Sequence, residues 1–395
     1  MKSFILKNSI TIPTEANKLT LVMLALNSIF VFFNPDMFMG IADYFCFLVL
    51  FIIFSVLTKK TFALTHEIRY LIVLLFYMFI ALAVAGLQGF FSSGYFLSYL
   101  IYLLVFILAL NQHYSKEDID FLLDMYILSA VIIAVLIIVQ RYDYYGSGSE
   151  RHTIKILSHD AFDPNFLAAY LVVPAVLVFS RMLRNFKARR LIALLLIVAG
   201  TLYTSSRGAA VSMALGMAIV VFGFCKGRKK ARRILTIVLI LGSGILLAKE
   251  FIPGNALIRL LNFKAYTTDG SNSKRFLDWQ YGLQAYIRRP LFGYGLMGEL
   301  TIIKGALNVE YISHNTFIAF LLQFGAVGFL LILAGLADLL WRIRRNATLV
   351  ACLLSALAVS FFVSAEVSLF FWMPIIYVTV ISAYEKQNGC MFDFG

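Results

Sequence analysis

Charge is what this sequence has least of. Only 14% of its 395 residues are Asp, Glu, Lys or Arg, against 61% hydrophobic, where a soluble domain carries roughly 25% charged side chains. That deficit excludes a chain folded in water around a single core, and it makes the membrane span the unit of reading. Cysteine is sparse as well. Cys46, Cys225, Cys352 and Cys390 are scattered, with no metal-type or redox-type spacing, and read as small buried hydrophobes. The patterns HExxH, GxSxG, CxxC and the Walker loop are all missing. No metal site of ordinary ligand spacing is present, and no cofactor is expected. A cleavable leader is not expected either. The first apolar run follows Lys2, Lys7 and Lys18, has no small-residue cleavage site after it, and reads as a retained helix.

Long apolar runs are what the chain has in plenty. They fall near 19–33, 41–57, 68–86, 95–110, 119–140, 164–181, 190–204, 208–225, 232–248, 314–340, 348–365 and 368–385, each near the length that crosses about 30 Å of hydrocarbon. The predicted fold is an all-α polytopic membrane protein of about twelve transmembrane helices, with residues 1–395 as one integral membrane domain. With the N-terminus placed in the cytoplasm, 22 of the 34 basic residues fall on the inner side, as the positive-inside rule requires. The clusters RMLRNFKARR and KGRKKARR dominate that count and read as topology determinants rather than a nucleic-acid surface. The long connection 249–313, between spans nine and ten, lies outside and departs from the trend with eight Lys and Arg. An anionic ligand explains that positive charge; anionic lipid headgroups explain it equally.

Four stretches at the outer side carry chemistry-bearing side chains. In LYTSSRGAAVSMALG, Arg207 stands in a tight turn between two apolar runs. It either snorkels inertly or clamps a phosphate with its planar fork. In SKRFLDWQYGLQAYIRRPLFGYGLMGE, residues 275–287 have the pattern of an amphipathic helix lying on the outer leaflet. Arg275 opens it, Trp279 belongs to its aromatic set, Arg288 and Arg289 close it, and Gly293 and Gly295 form a flexible turn after Pro290. Ahead of the sixth span, Asp163 before Pro164 is an N-cap or a contact for a sugar acceptor. His152 and His159, in the same loop, read as exposed loop residues. In YISHNTFIAFLLQFGAVGFLLIL, His314 and Asn315 stand at the lip of a long apolar run. Ser313 is a candidate cap that leaves the imidazole available as a general base for a hydroxyl nucleophile. A structural histidine is the other reading. Gly325 and Gly328 offer small surfaces for close helix packing.

Taken in order, SRG before a span, the R…W…PLFGYG loop and HNTFIAFLLQFGAVG resemble the O-antigen ligase and polymerase superfamily over residues 160–335. The DPNFLAAYL stretch is similar to one found in polymerase-type members. The resemblance implies a metal-independent, inverting glycosyltransferase in the bacterial cytoplasmic membrane, with its site facing the periplasm or outside. The implied donor is a glycan on undecaprenyl pyrophosphate. The acceptor is a second lipid-linked repeat unit in a polymerase or lipid A–core in a ligase. Membrane lipid and a chain-length regulator are the further partners it implies, with no nucleic acid. Arg207 and Arg275 correspond to the arginines that hold the donor pyrophosphate, and His314 to the residue that activates the acceptor hydroxyl. Arg151, Arg288 and Arg289 are supporting candidates for substrate binding, with Asn315, Asp163 and Trp279 beside them. Polymerase is favoured over ligase and over related protein O-glycosylating enzymes. A transporter or flippase is the rival of another class. Its charges belong along several helices in a central cavity, whereas these concentrate at one face.

Overall fold

The fold is described from a computed structural model, which covers residues 14–15, 17–29, 43–58, 62–87, 92–143, 151–155, 161–224 and 270–395. The expected span at 232–248, the KGRKKARR cluster, the long connection through residue 269, His159 and Cys225 lie outside the described residues.

Helices make up most of the described chain: α1 Lys18–Ile29, α2 Asp43–Thr58, α3 His66–Leu87, α4 Ser93–Leu110, α5 Lys116–Gln140, α6 Pro164–Arg184, α7 Ala188–Tyr203, α8 Arg207–Phe224, α9 Gly270–Arg288, α10 Glu299–Leu307, α11 Thr316–Ile343, α12 Ala347–Val359 and α13 Leu369–Asn388. Two two-residue strand pairs join them: β1 (Thr14–Glu15) runs parallel to β2 (Gln112–His113), and β3 (Tyr142–Asp143) antiparallel to β4 (His152–Thr153). The all-α class holds, and eleven of the twelve apolar runs fall on these helices. Among the described residues α3, α5, α6 and α11 are long and apolar enough to cross a membrane, while α1, α2, α4, α8 and α12 are apolar over shorter stretches.

The run expected at 348–365 divides. α12 stops at Val359, although Phe361, Phe362 and Val363 continue the apolar pattern. The carbonyls of Ser360 and Val363 turn instead to the Thr316 N–H, each at 3.0 Å. Hydropathy registers side chains and does not see where carbonyls are spent. The cysteines also split. Cys352 is buried as expected, whereas Cys46 and Cys390 are exposed, Cys390 because it follows the last helix.

Helix α6 is the axis of the core. It is buried almost along its whole length and packs against α5, α7, α8, α12 and α13, as a helix apolar on every side must. Its last turn carries Arg181, 5% exposed, bonded to Asp120 at 2.7 Å and to Asp124, both on α5. Arg342 at the end of α11 pairs with Glu67 at the start of α3 and with Asp338 at 2.6 Å. Asn346 ahead of α12 reaches Glu385 near the end of α13 at 2.6 Å. These bonds gather one set of helix ends into a basic end of the bundle. The other ends meet opposite, where Ser206 between α7 and α8 bonds Asn165 of α6 at 3.2 Å and the start of α11 bonds the chain after α12. There a second, smaller apolar cluster, with Ala285, Tyr294, Met297, Ile302, Ile318 and Leu322, seats α9 and α10 against α11 and the end of α3.

Candidate functional site

His314 sits in the left-handed region, with φ at +48°. For a residue with a Cβ that conformation costs about 1–3 kcal/mol and persists only where neighbours enforce it. Here they do. Ser313, wholly buried, donates its N–H and its hydroxyl to one oxygen of Glu299, at 2.7 and 2.6 Å. Asn315, also buried, caps α11, its side-chain oxygen accepting the N–H of Phe317 at 3.0 Å and of Ile318 at 3.3 Å. The Thr316 hydroxyl donates to the Val363 carbonyl and accepts the Ala365 N–H, both at 2.8 Å. The cap is therefore Asn315 and not Ser313, because the helix starts at Thr316 and Asn315 immediately precedes it. It follows that the Asn315 oxygen is spent on the backbone.

Eleven residues further on, α11 breaks at Gly325, where φ is +62° and ψ −171°. A helix break inside apolar surroundings leaves backbone groups that must find partners, and the PLFGYG segment supplies them. The N–H groups of Tyr294 and Gly295 donate to the Leu322 and Gln323 carbonyls at 2.8 and 2.9 Å, while those of Ala326 and Val327 donate to the Pro290 and Leu291 carbonyls at 2.7 and 3.1 Å. The two backbones approach so closely that a Cβ on Gly325 would lie 2.3 Å from the Leu291 carbonyl oxygen. Gly325 thus serves a break rather than a helix–helix face, and the turn at Gly293 and Gly295 is fastened, not flexible.

Helix α9 brings Arg275 to this region. Its Asp278, Gly282 and Ala285 are buried while Phe276, Leu277, Leu283 and Ile287 are exposed with Gln280 and Gln284 among them, an outward face that is mainly apolar. A Cβ on Gly282 would meet the Ile318 side chain at 2.6 Å and the Ser313 Cβ at 3.4 Å, so this face lies against the loop that carries His314. Arg275 shares that face, two turns earlier. Arg207 opens α8 and is half-buried. Next to it, a Cβ on Gly208 would lie 2.5 Å from the Phe362 ring, in the turn that also holds Thr316. Asp163 caps α6 through the Asn165 N–H at 2.7 Å, as its spacing predicts. The Asn165 side chain in turn accepts from Arg151 at 2.8 Å and from Ser206 at 3.2 Å, which ties Arg151 and Asp163 to the turn before Arg207.

Arg288 and Arg289 are placed otherwise. They close α9 about 20 Å along the helix from Arg275; Arg288 donates to the Ala306 carbonyl, and Arg289 stacks 4.9 Å over the Tyr294 ring. The Trp279 indole N–H is buried and finds no partner among the described residues. Among the described residues no group of three His, Cys, Asp or Glu is arranged to hold a metal ion.

Two carboxyls went unmarked in the sequence. Glu299 is 3% and Glu366 2% exposed, and neither has an ion pair among the described residues. Burial pushes the Glu366 carboxyl up to about 8, with the neighbouring Glu299 adding to the rise. Glu299 is raised too, by burial above all, against the two bonds from Ser313 that favour its charged form. The signal was available: with only 21 acidic residues in the chain, a carboxylate in an apolar run or a short turn between spans has to be explained.

These parts define an all-α protein with apolar, membrane-type helices. An imidazole and two guanidinium groups stand on mutually packed segments at one end of its bundle. Residues 191–333 match the family model described as O-antigen ligase, a stretch from α7 into α11 that contains Arg207, Arg275 and His314. The match supports the O-antigen ligase and polymerase superfamily, and with it a glycosyltransferase-like membrane enzyme that acts on a lipid-linked glycan and an acceptor. No curated protein matches the chain.

Proposed function

We propose that the protein is a polymerase of bacterial surface polysaccharide, joining undecaprenyl-pyrophosphate-linked repeat units at the outer face of the cytoplasmic membrane. The observation that carries this reading is the presentation of His314, held left-handed at the lip of α11 against the face of α9 that bears Arg275. In the reaction an acceptor hydroxyl attacks the anomeric carbon of the donor sugar from the side opposite the pyrophosphate. The new O–C bond forms as the bond from carbon to the phosphate oxygen breaks. The electron pair leaves with the lipid pyrophosphate, and the hydroxyl proton passes to the His314 imidazole. Arg207 and Arg275 stabilise the charge that grows on the leaving group, each with a fork matched to phosphate oxygens. The anomeric configuration inverts. The apolar stripe of Phe276, Leu283 and Ile287 seats α9 in the outer leaflet, at the depth of the donor headgroup.

Transfer to lipid A–core is the second reading, favoured by the description of the matched model as O-antigen ligase. Deleting the gene and analysing the surface glycan separates the two. A polymerase leaves single-repeat glycan on the surface; a ligase leaves finished polymer on its lipid carrier. Purified protein that elongates the extracted lipid-linked repeat supports the enzyme, and one that only moves it across a vesicle membrane sinks it in favour of a flippase.

A further inference from the structure

On the reading of His314 as the base, we propose that Glu299 is a positioning residue of the site, its carboxyl clamping Ser313 and thereby setting the backbone that aims the imidazole. Two donors of one residue, the Ser313 N–H and hydroxyl, converge on a single Glu299 oxygen at 2.7 and 2.6 Å. Bonds from backbone and side chain together fix both the position and the rotation of Ser313. The same serine oxygen accepts the Asn315 N–H at 3.2 Å, so the clamp straddles His314 and holds the residues on both of its sides. The left-handed φ of His314 lies between these two anchors and has no glycine to relax it.

Glu299 is itself well held. It opens α10, whose first residues pack beneath α4: a Cβ on Gly298 would lie 3.1 Å from the Tyr95 hydroxyl. Tyr95, Ser364, Asp278 and Glu366 surround the carboxyl, and no Lys or Arg pairs with it among the described residues. A carboxyl buried beside other acidic groups without a cation is costly, and a hydroxyl or amide acceptor at that place would bond Ser313 at less expense. What a carboxylate adds over an amide, whose oxygen also accepts two bonds, is charge that strengthens both of them. Its action reaches the reacting atoms only through Ser313.

The test uses the full-length protein in detergent with the lipid-pyrophosphate glycan extracted from a strain deleted for this gene. Glu299→Leu keeps the volume and removes the acceptor; kcat should fall about 10²-fold, the cost of a misplaced catalytic group, while the KM for the donor stays within about twofold. Glu299→Gln, whose amide oxygen still accepts both bonds, should recover most of kcat. Ser313→Ala should lower kcat, and in the Glu299→Leu background it should lower it no further, since both act through one contact. Unchanged kcat in Glu299→Leu, a loss confined to donor KM, or additive losses in the double variant would each overturn the proposal. If Glu299→Leu does not fold, Ser313→Ala decides alone, with unchanged kcat counting against the clamp. A fully active His314→Ala would instead remove the base reading on which the clamp rests, whereas an inactive His314→Ala beside a fully active Glu299→Leu would remove only the clamp.

Discussion

At the basic end of the bundle Arg181 is buried against Asp120 and Asp124, and Arg342 pairs with Glu67 and Asp338. At the opposite end Glu299 and Glu366 are buried with no cation paired to either among the described residues; Glu299 is held by the Ser313 hydroxyl and N–H, and its proximity pushes the Glu366 carboxyl further up. The first arrangement closes charge upon itself and ties helix ends together. The second leaves carboxyls uncompensated, which is costly to keep and is found where a side chain has to be held for a purpose. On the proposed reading, one end is built to be stable and the other to present His314 and the arginines.

The sharpest way to break that contrast is at the imidazole. His314→Ala should cost about 10²–10⁴ in turnover with the amount of folded protein unchanged, as measured by polymer synthesis per folded molecule; normal turnover would make this end structural like the other. At the basic end the reverse is expected. Arg181→Met should lower thermal stability by about 1–3 kcal/mol, the worth of its charged hydrogen bonds reduced by water at the half-exposed aspartates, and leave turnover per folded molecule intact. Equal losses of activity from both substitutions would erase the distinction.

Proton linkage gives a finer test. Glu366 has its carboxyl raised from 4.5 to about 8, so the folded state holds a proton that the unfolded chain releases earlier. Stability from this group is full below 4.5 and is lost as pH rises toward 8. Glu366→Gln should flatten the fall in melting temperature between these values, and an unchanged slope would show the group to be solvated. The smallest effect is expected from Arg289→Ala. It removes a stack on Tyr294 at 4.9 Å worth about 0.5–1 kcal/mol at an exposed position, and it should leave donor KM within about twofold; a larger change would bring the far end of α9 into the site.

How far the sequence went can be seen residue by residue. Helices α3, α5 and α6 were legible because an apolar run of span length has few other fates, and the Asp163 cap because Asp before Pro has one common use. The two arginines and the histidine stood out by position and by resemblance. Glu299 and Glu366 did not, since their meaning lies in what surrounds them after folding. The exchange of Ser313 for Asn315 as cap has a related origin: either residue suits the place by type, and the residue at which the helix starts, Thr316, decides between them. The end of α12 was read too far because Phe361 and Phe362 are apolar whether or not the helix continues.

The joint between the PLFGYG segment and the break at Gly325 fixes something that ordinary helix packing leaves soft. A smooth apolar helix in lipid can slide along its axis and roll at little expense, because one lipid-facing residue replaces another. The four cross-bonds from Tyr294, Gly295, Ala326 and Val327 are made at one register alone. A slip of a single residue breaks them all, turns the lip of α11 by about 100° and moves it about 1.5 Å along the helix axis. The loop thus acts as a register stop, and the position of the imidazole along the axis of α11 is set at a break eleven residues away from it.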